Sequence, residues 1–164
     1  VIPRSPGGRA KEILARLEPA YSDLTTGLTF STPLELVVAT ILSAQCTDDR
    51  VNMVTPVLFA RFRTAAEYAS ASPEEIETIV HSCGFYRNKT KSIQGMARVL
   101  VERFGGDVPN TMAELLTLPG VARKTANVVL SHAFARHEGI AVDTHVGRLS
   151  ERLGLTTEQD PVKI

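Results

Sequence analysis

Apolar residues recur along this chain at helical spacing, and the alternation expected of strands is almost absent. Between residues 33 and 45, Leu34, Val37, Val38, Ile41 and Leu42 fall three and four apart and share one face. Val51, Val54, Leu58 and Phe62 repeat the period in a following helix, with Asp48 as its expected cap. Residues 88–104 do the same at Ile93, Met96, Ala97, Leu100, Val101 and Phe104, and Gly105-Gly106 stops them. A longer helix over residues 122–136 turns Ala126, Val129, Leu130, Ala133 and Phe134 inward.

Punctuation between these runs marks the remaining elements. Ser72-Pro73-Glu74-Glu75 is a helix start, with a cap residue, proline at the first position and glutamate at the third, and Gly84 ends that helix. Residues 9–20 predict a short helix ending near Pro19, and Thr111 to Leu116 another. Asp143 is expected to cap the last complete helix, which Gly154 closes. The opening VIPRSPGG is expected to be disordered, and residues 157–164 to start a further helix with Pro161 in its first turn. Eight or so helices with short links define an all-α fold.

A chain of 164 residues has the size of one domain, and 43% hydrophobic with 22% charged residues is ordinary for a globular protein. No apolar run approaches the ~20 residues of a membrane span, and the N-terminus has no basic-then-apolar leader pattern, so no membrane partner is expected. Cys46 and Cys83 are too few and too far apart for a CxxC pattern; they are expected to be reduced thiols, with no disulfide and no metal site. Net charge is zero, which by itself argues against a nucleic-acid partner. The charges are segregated, however. Residues 64–80 carry Glu67, Glu74, Glu75 and Glu77 and no base, whereas 82–104 carry Arg87, Lys89, Lys91, Arg98 and Arg103 against Glu102 alone. A neutral total can hide a basic face.

The stretch LPGVARKTANVVLSHAFARHEGIAVDTH, residues 118–145, holds the candidate chemistry. Gly120 lets the backbone turn and lets a phosphate approach with no Cβ in the way, and the following helix adds the partial positive charge of its N-terminus. Leu118 and Val121 would anchor the turn, and Arg123, Lys124 and Thr125 open the helix. The plainer alternative is a helix–helix corner with incidental bases. Lys124 and Asp143, nineteen residues apart, admit two readings as well. They are a surface ion pair of little consequence, or an amine nucleophile and a carboxylate that steadies positive charge on a sugar. The helix dipole and Arg123 disfavour a second positive charge at Lys124, while an ionised Asp143 nearby works the other way. His145 either donates to a phosphate or packs against the cap, and packing is the expected role.

LPGVARKTANVVL followed by AVDTHVGR resembles the helix-hairpin-helix DNA glycosylases, and among them the endonuclease III family. LSAQCTDDRVN (42–52) and GFYRNKTKSI (84–93) match the same family in the same order, and the likeness runs from about residue 10 to the C-terminus. The resemblance implies a base-excision repair enzyme that removes oxidised pyrimidines from double-stranded DNA and nicks at the abasic site. It implies that Lys124 attacks the sugar C1′ and forms a Schiff base, followed by β-elimination, with Asp143 assisting base loss. Gln45 would fill the space left by a flipped-out nucleotide, and Phe85, where the family often has leucine, would wedge into the opposite strand.

By the same resemblance, residues 26–136 form a six-helix domain with the hairpin at about 112–130, and segments 1–25 and 137–164 contribute to a second helical domain, the active site lying in the cleft between. A [4Fe–4S] cluster is implied only if the chain continues beyond Ile164, because the family's four-cysteine run would begin after it; no cofactor is expected within these residues. A monomer is expected, cytoplasmic at the nucleoid in a bacterium, nuclear or organellar in a eukaryote. Two alternatives stay open: a helix-hairpin-helix DNA-binding module without catalysis, and a related glycosylase of other base specificity.

Overall fold

The computed structural model describes residues 4–21 and 25–164. Among the described residues every regular element is helical: α1 (Pro6–Tyr21), α2 (Pro33–Ser43), α3 (Asp48–Arg61), α4 (Ala65–Ser70), α5 (Pro73–Val80), α6 (Tyr86–Phe104), α7 (Met112–Leu115), α8 (Arg123–Phe134) and α9 (Thr144–Arg152), with a 3₁₀ turn over His81–Cys83. The fold is all-α.

Side-chain caps set most of the helix starts. Thr32, Thr47, Thr64, Ser72 and Thr111 each accept the backbone N–H three residues on, satisfying a donor the helix cannot pair internally. Thr47 rather than Asp48 therefore caps α3; Asp48 is its first residue, where its charge suits the helix dipole. In α4 the cap is reciprocal. Glu67 accepts from the N–H groups of Arg63 and Thr64, and these bonds hold its carboxyl below the usual range. At six residues α4 is too short to show a period, and the Thr64–Glu67 capping box was the one signal the sequence offered for it.

Expectations at both ends are corrected. Pro6, Gly7 and Gly8 are helical, because Ser5 accepts from Gly8 N–H at 3.1 Å and Pro6 takes the first helical position; residues 1–3 lie outside the described range. α1 also runs through Pro19 to Tyr21, and the carbonyl that Pro19 cannot pair belongs to exposed Ala15, open to solvent. Residues 157–164 form turns rather than a helix. Asp160 gathers Val162 N–H on its side chain and the N–H groups of Lys163 and Ile164 on its carbonyl, a single turn without continuation.

The chain divides into two compact units, Val1–Thr25 with Ala141–Ile164, and Thr26–Ile140. In the larger unit α2 packs against α3, α6 and α8, and α6 also packs against α4 and α5. The core holds the expected faces: Val37, Val38, Ile41 and Leu42 of α2, Val51 and Leu58 of α3, Ile93, Met96, Ala97 and Leu100 of α6, and Ala126, Val129 and Leu130 of α8. Gln94, buried on α6, donates to the Ala71 carbonyl at 2.7 Å and so ties α6 to the end of α4. In the smaller unit the Arg9 guanidinium of α1 donates to the Gly154 carbonyl that follows α9.

Candidate nucleic-acid interface

The hairpin joins α7 to α8 through a tight turn. Leu118 N–H donates to Leu115 and Val121 N–H to Leu118, both at 3.1 Å, with Pro119-Gly120 at the tip. Gly120 sits at φ +79°, and a Cβ there would lie 2.7 Å from Cβ of Ser92 on α6. Both facts demand glycine. Leu118 and Val121 are buried, so what they present outward is backbone rather than side chain. Ala122 precedes α8 and offers no side-chain acceptor, so no side chain caps this 12-residue helix. A helix start without a side-chain cap suits an anion, and this turn also carries exposed Arg123 and Lys124. The hairpin nests on α6 because Gly95 lets Pro119 approach to 3.2 Å of where its Cβ would be. Sequence reasoning missed Gly95; a glycine in a helix interior, costing about 1 kcal/mol, was the available signal.

Beside the hairpin lies an open hollow of about 330 Å³, lined in part by Gln45, Phe85, Lys89, Ser92, Gly120 and Thr125. Residues from three separated stretches of sequence thus meet at one place. Two of them have left-handed backbone without being glycine: Gln45 at φ 54° and Phe85 at φ 45°. Such a conformation costs about 1–3 kcal/mol and is most unusual for a bulky side chain. Gln45 lies between the end of α2 and the Thr47 cap of α3, with Cys46 N–H turned back to the Ser43 carbonyl at 3.1 Å. Phe85 precedes α6 and has no side-chain cap bond, and the residue is 67% exposed. A core role for Phe85 is thereby excluded.

The basic segment is less free than its composition suggested. Lys89 is buried, with Nζ donating to the Cys83 carbonyl at 2.8 Å, and so does not present its charge at the surface. Arg87 lies 4.0 Å from Glu77 and against the Tyr86 ring, and Arg103 lies over Phe104. Lys91 and Arg98 are exposed.

Asp143 and His145 belong to the smaller unit. Asp143 caps α9, its Oδ1 accepting from His145 N–H at 3.0 Å and Val146 N–H at 2.9 Å, which fixes the direction of the carboxylate. His145 is exposed and its Nδ1 lies 2.8 Å from the Arg148 guanidinium, so it is engaged within its own helix.

Cys46 and Cys83 are free thiols. Burial first, and then the neighbouring Cys46 thiol, push the Cys83 thiol up to about 11. Among the described residues no group of three or more His, Cys, Asp or Glu side chains is arranged to hold a metal ion. Two thiols cannot supply the four thiolates of a [4Fe–4S] cluster, so the residues present do not fit one. No helix among the described residues is long and apolar enough to cross a membrane.

Comparison with known families agrees with this geometry. The model of the HhH-GPD superfamily of base excision DNA repair proteins matches residues 38–164. The chain belongs to that superfamily. Within it, an endonuclease III of Synechocystis sp. is 60% identical over 156 residues, which cover 95% of this chain and 71% of the relative. A non-covalent endonuclease III–DNA complex has a similar structure, with TM-score 0.88 at 42% identity over 94% of this chain and 72% of that one. A trapped endonuclease III–DNA covalent intermediate matches at TM-score 0.86 and 44% identity, over 93% of this chain and 71% of that one. The chain spans 61–72% of the length of these and other curated endonuclease III relatives.

Proposed function

We propose that the protein is a DNA N-glycosylase and abasic-site lyase of base excision repair, acting on oxidised pyrimidines in double-stranded DNA. The observation that carries this reading is the hollow beside the hairpin, where exposed, left-handed Gln45 and Phe85 meet Gly120 and Thr125. An enzyme that extrudes a nucleotide must put something in its place. Gln45, with an amide that both donates and accepts, takes the vacated position, and Phe85 enters the opposite strand as an apolar wedge. The N–H groups around Gly120 and the first turn of α8 hold a phosphate, with Arg123 and Thr125 contributing, and this grip is blind to sequence.

Lys124 is the nucleophile in this scheme. Its amine attacks C1′, the C1′–N bond breaks, and the base leaves with a proton. Ring opening gives a lysine Schiff base; loss of a C2′ proton then expels the 3′ phosphate, and water releases the enzyme. Asp143, held by two N–H donors, steadies positive charge as the base departs. His145 supports the cap and engages Arg148. The domains divide function accordingly, residues 26–136 carrying the hairpin and Lys124, and segments 1–25 and 137–164 carrying Asp143. A cluster, where the gene product holds one, takes its ligands from other residues, and no step above depends on it. The relatives come from bacteria, which favours action at the nucleoid, as a monomer.

The test is borohydride trapping on duplexes with one thymine-glycol or abasic site, using the complete gene product. Lys124→Gln should abolish the adduct and leave lesion binding largely intact, whereas Asp143→Asn should slow base release by roughly 10²–10⁴-fold with a smaller effect on binding. An adduct unchanged by Lys124→Gln would mean that another amine carries the chemistry. A protein that binds lesions but never forms an adduct would be a binding module.

A further inference from the structure

We propose that Lys89 is a positioning residue for Phe85: its ammonium braces the left-handed corner that holds the aromatic ring at the hollow. Among the described residues Lys89 is the only buried charged side chain, at 5% exposure. Among the described residues no carboxylate forms an ion pair with it. Burying an ammonium is expensive, and a core that needed only volume at this position would take methionine or leucine. The charge is instead spent on one acceptor, the Cys83 carbonyl at 2.8 Å.

That carbonyl ends the 3₁₀ turn and is followed by two left-handed residues, Gly84 at φ +69° and Phe85 at φ 45°. Lys89 grips this corner twice. Its backbone N–H donates to the Phe85 carbonyl at 3.1 Å, and its side chain reaches back past Phe85 to Cys83. The strained residue is thereby enclosed between two bonds from one lysine in the first turns of α6. A charge-assisted bond is stronger than a neutral one, which suits a corner whose own residue has no cap bond and an unfavourable backbone. Lys89 and Phe85 also line the same hollow.

This inference rests on the reading of Phe85 as the side chain inserted into duplex DNA. The experiment compares Lys89→Met, Phe85→Ala and the double variant in the complete gene product. The readout is the rate of borohydride-trapped adduct on an abasic duplex and on the same abasic oligonucleotide as a single strand. A single strand has no opposite partner to wedge. Lys89→Met is expected to lose roughly 10-fold on the duplex, the scale of a lost hydrogen bond to a charged group, and to keep the parent rate on the single strand. Phe85→Ala should show the same selectivity, and the double variant should lose no more than the worse single one. Lys89→Arg, which keeps a cationic donor, should behave as the parent does. Equal losses on both substrates, or additive losses, would overturn the assignment and leave Lys89 a structural residue. Should Phe85→Ala alone lack duplex selectivity, the wedge reading fails and takes the inference with it. Selectivity for Phe85→Ala but none for Lys89→Met would reject the Lys89 role and spare the wedge.

Discussion

Three left-handed positions line one hollow, and the chain fills them in two ways. At Gly120 it uses glycine, whereas at Gln45 and Phe85 it accepts strain and keeps a side chain. The hairpin has to present backbone: with Ser92 2.7 Å from a hypothetical Cβ, nothing larger than glycine fits, and a phosphate needs the N–H groups unobstructed. The two loops have to present an amide and an aromatic ring, and glycine has neither. The strain marks positions where the side chain matters more than the stability it costs.

Substitution at Gly120 should have the larger effect. Gly120→Ala forces a left-handed alanine and a clash with Ser92 together, so a loss of about 2–4 kcal/mol is expected in denaturant titration. Binding should weaken alike for every duplex sequence, with a shallower salt dependence. A variant of parent stability and parent affinity would end the claim that this turn is built around backbone access.

The two loops should answer with opposite sign. Gln45→Gly and Phe85→Gly remove the left-handed penalty, and each should raise stability by about 0.5–1 kcal/mol after the entropy cost of glycine. Both should slow trapped-adduct formation on an abasic duplex. If either glycine variant is less stable than the parent, strain is not what the side chain imposes, and the contrast with Gly120 loses its basis.

The smallest effect concerns the support behind Phe85. The folded protein keeps the Cys83 proton up to about 11, while the unfolded chain releases it near the ordinary thiol value of 9.0. This contribution is full below pH 9.0 and is lost as pH rises through about 11. Stability measured from pH 8 to 11 should fall more steeply in the parent than in Cys83→Ala. Parallel curves would show that burial of this thiol does not matter to the corner.

Much of the architecture was legible in the residues alone. A cap and the N–H it accepts from lie three residues apart, an apolar face repeats every three or four, and a Pro-Gly turn is contiguous, so all three are written within a short window. That is why the faces of α2, α6 and α8, the Ser72 and Asp143 caps and the hairpin at Gly120 could be read before any coordinates. Short elements escaped: α4 has too few residues for a period, and the start of α1 at Pro6 was masked by its glycines.

What the tertiary structure alone decided depends on separations of tens of residues. Gln45, Phe85 and Gly120 meet at one hollow because α2 packs on α6 and α8. Gly95 accommodates Pro119 for the same reason, and neither fact has a local signature. Lys89 shows the limit most plainly. Read as one base among several in a charged segment, it is buried, because α6 turns that position inward and a carbonyl six residues earlier accepts its charge. Composition records that a lysine is present; packing determines whether its ammonium meets water, a phosphate or the backbone that shapes the site.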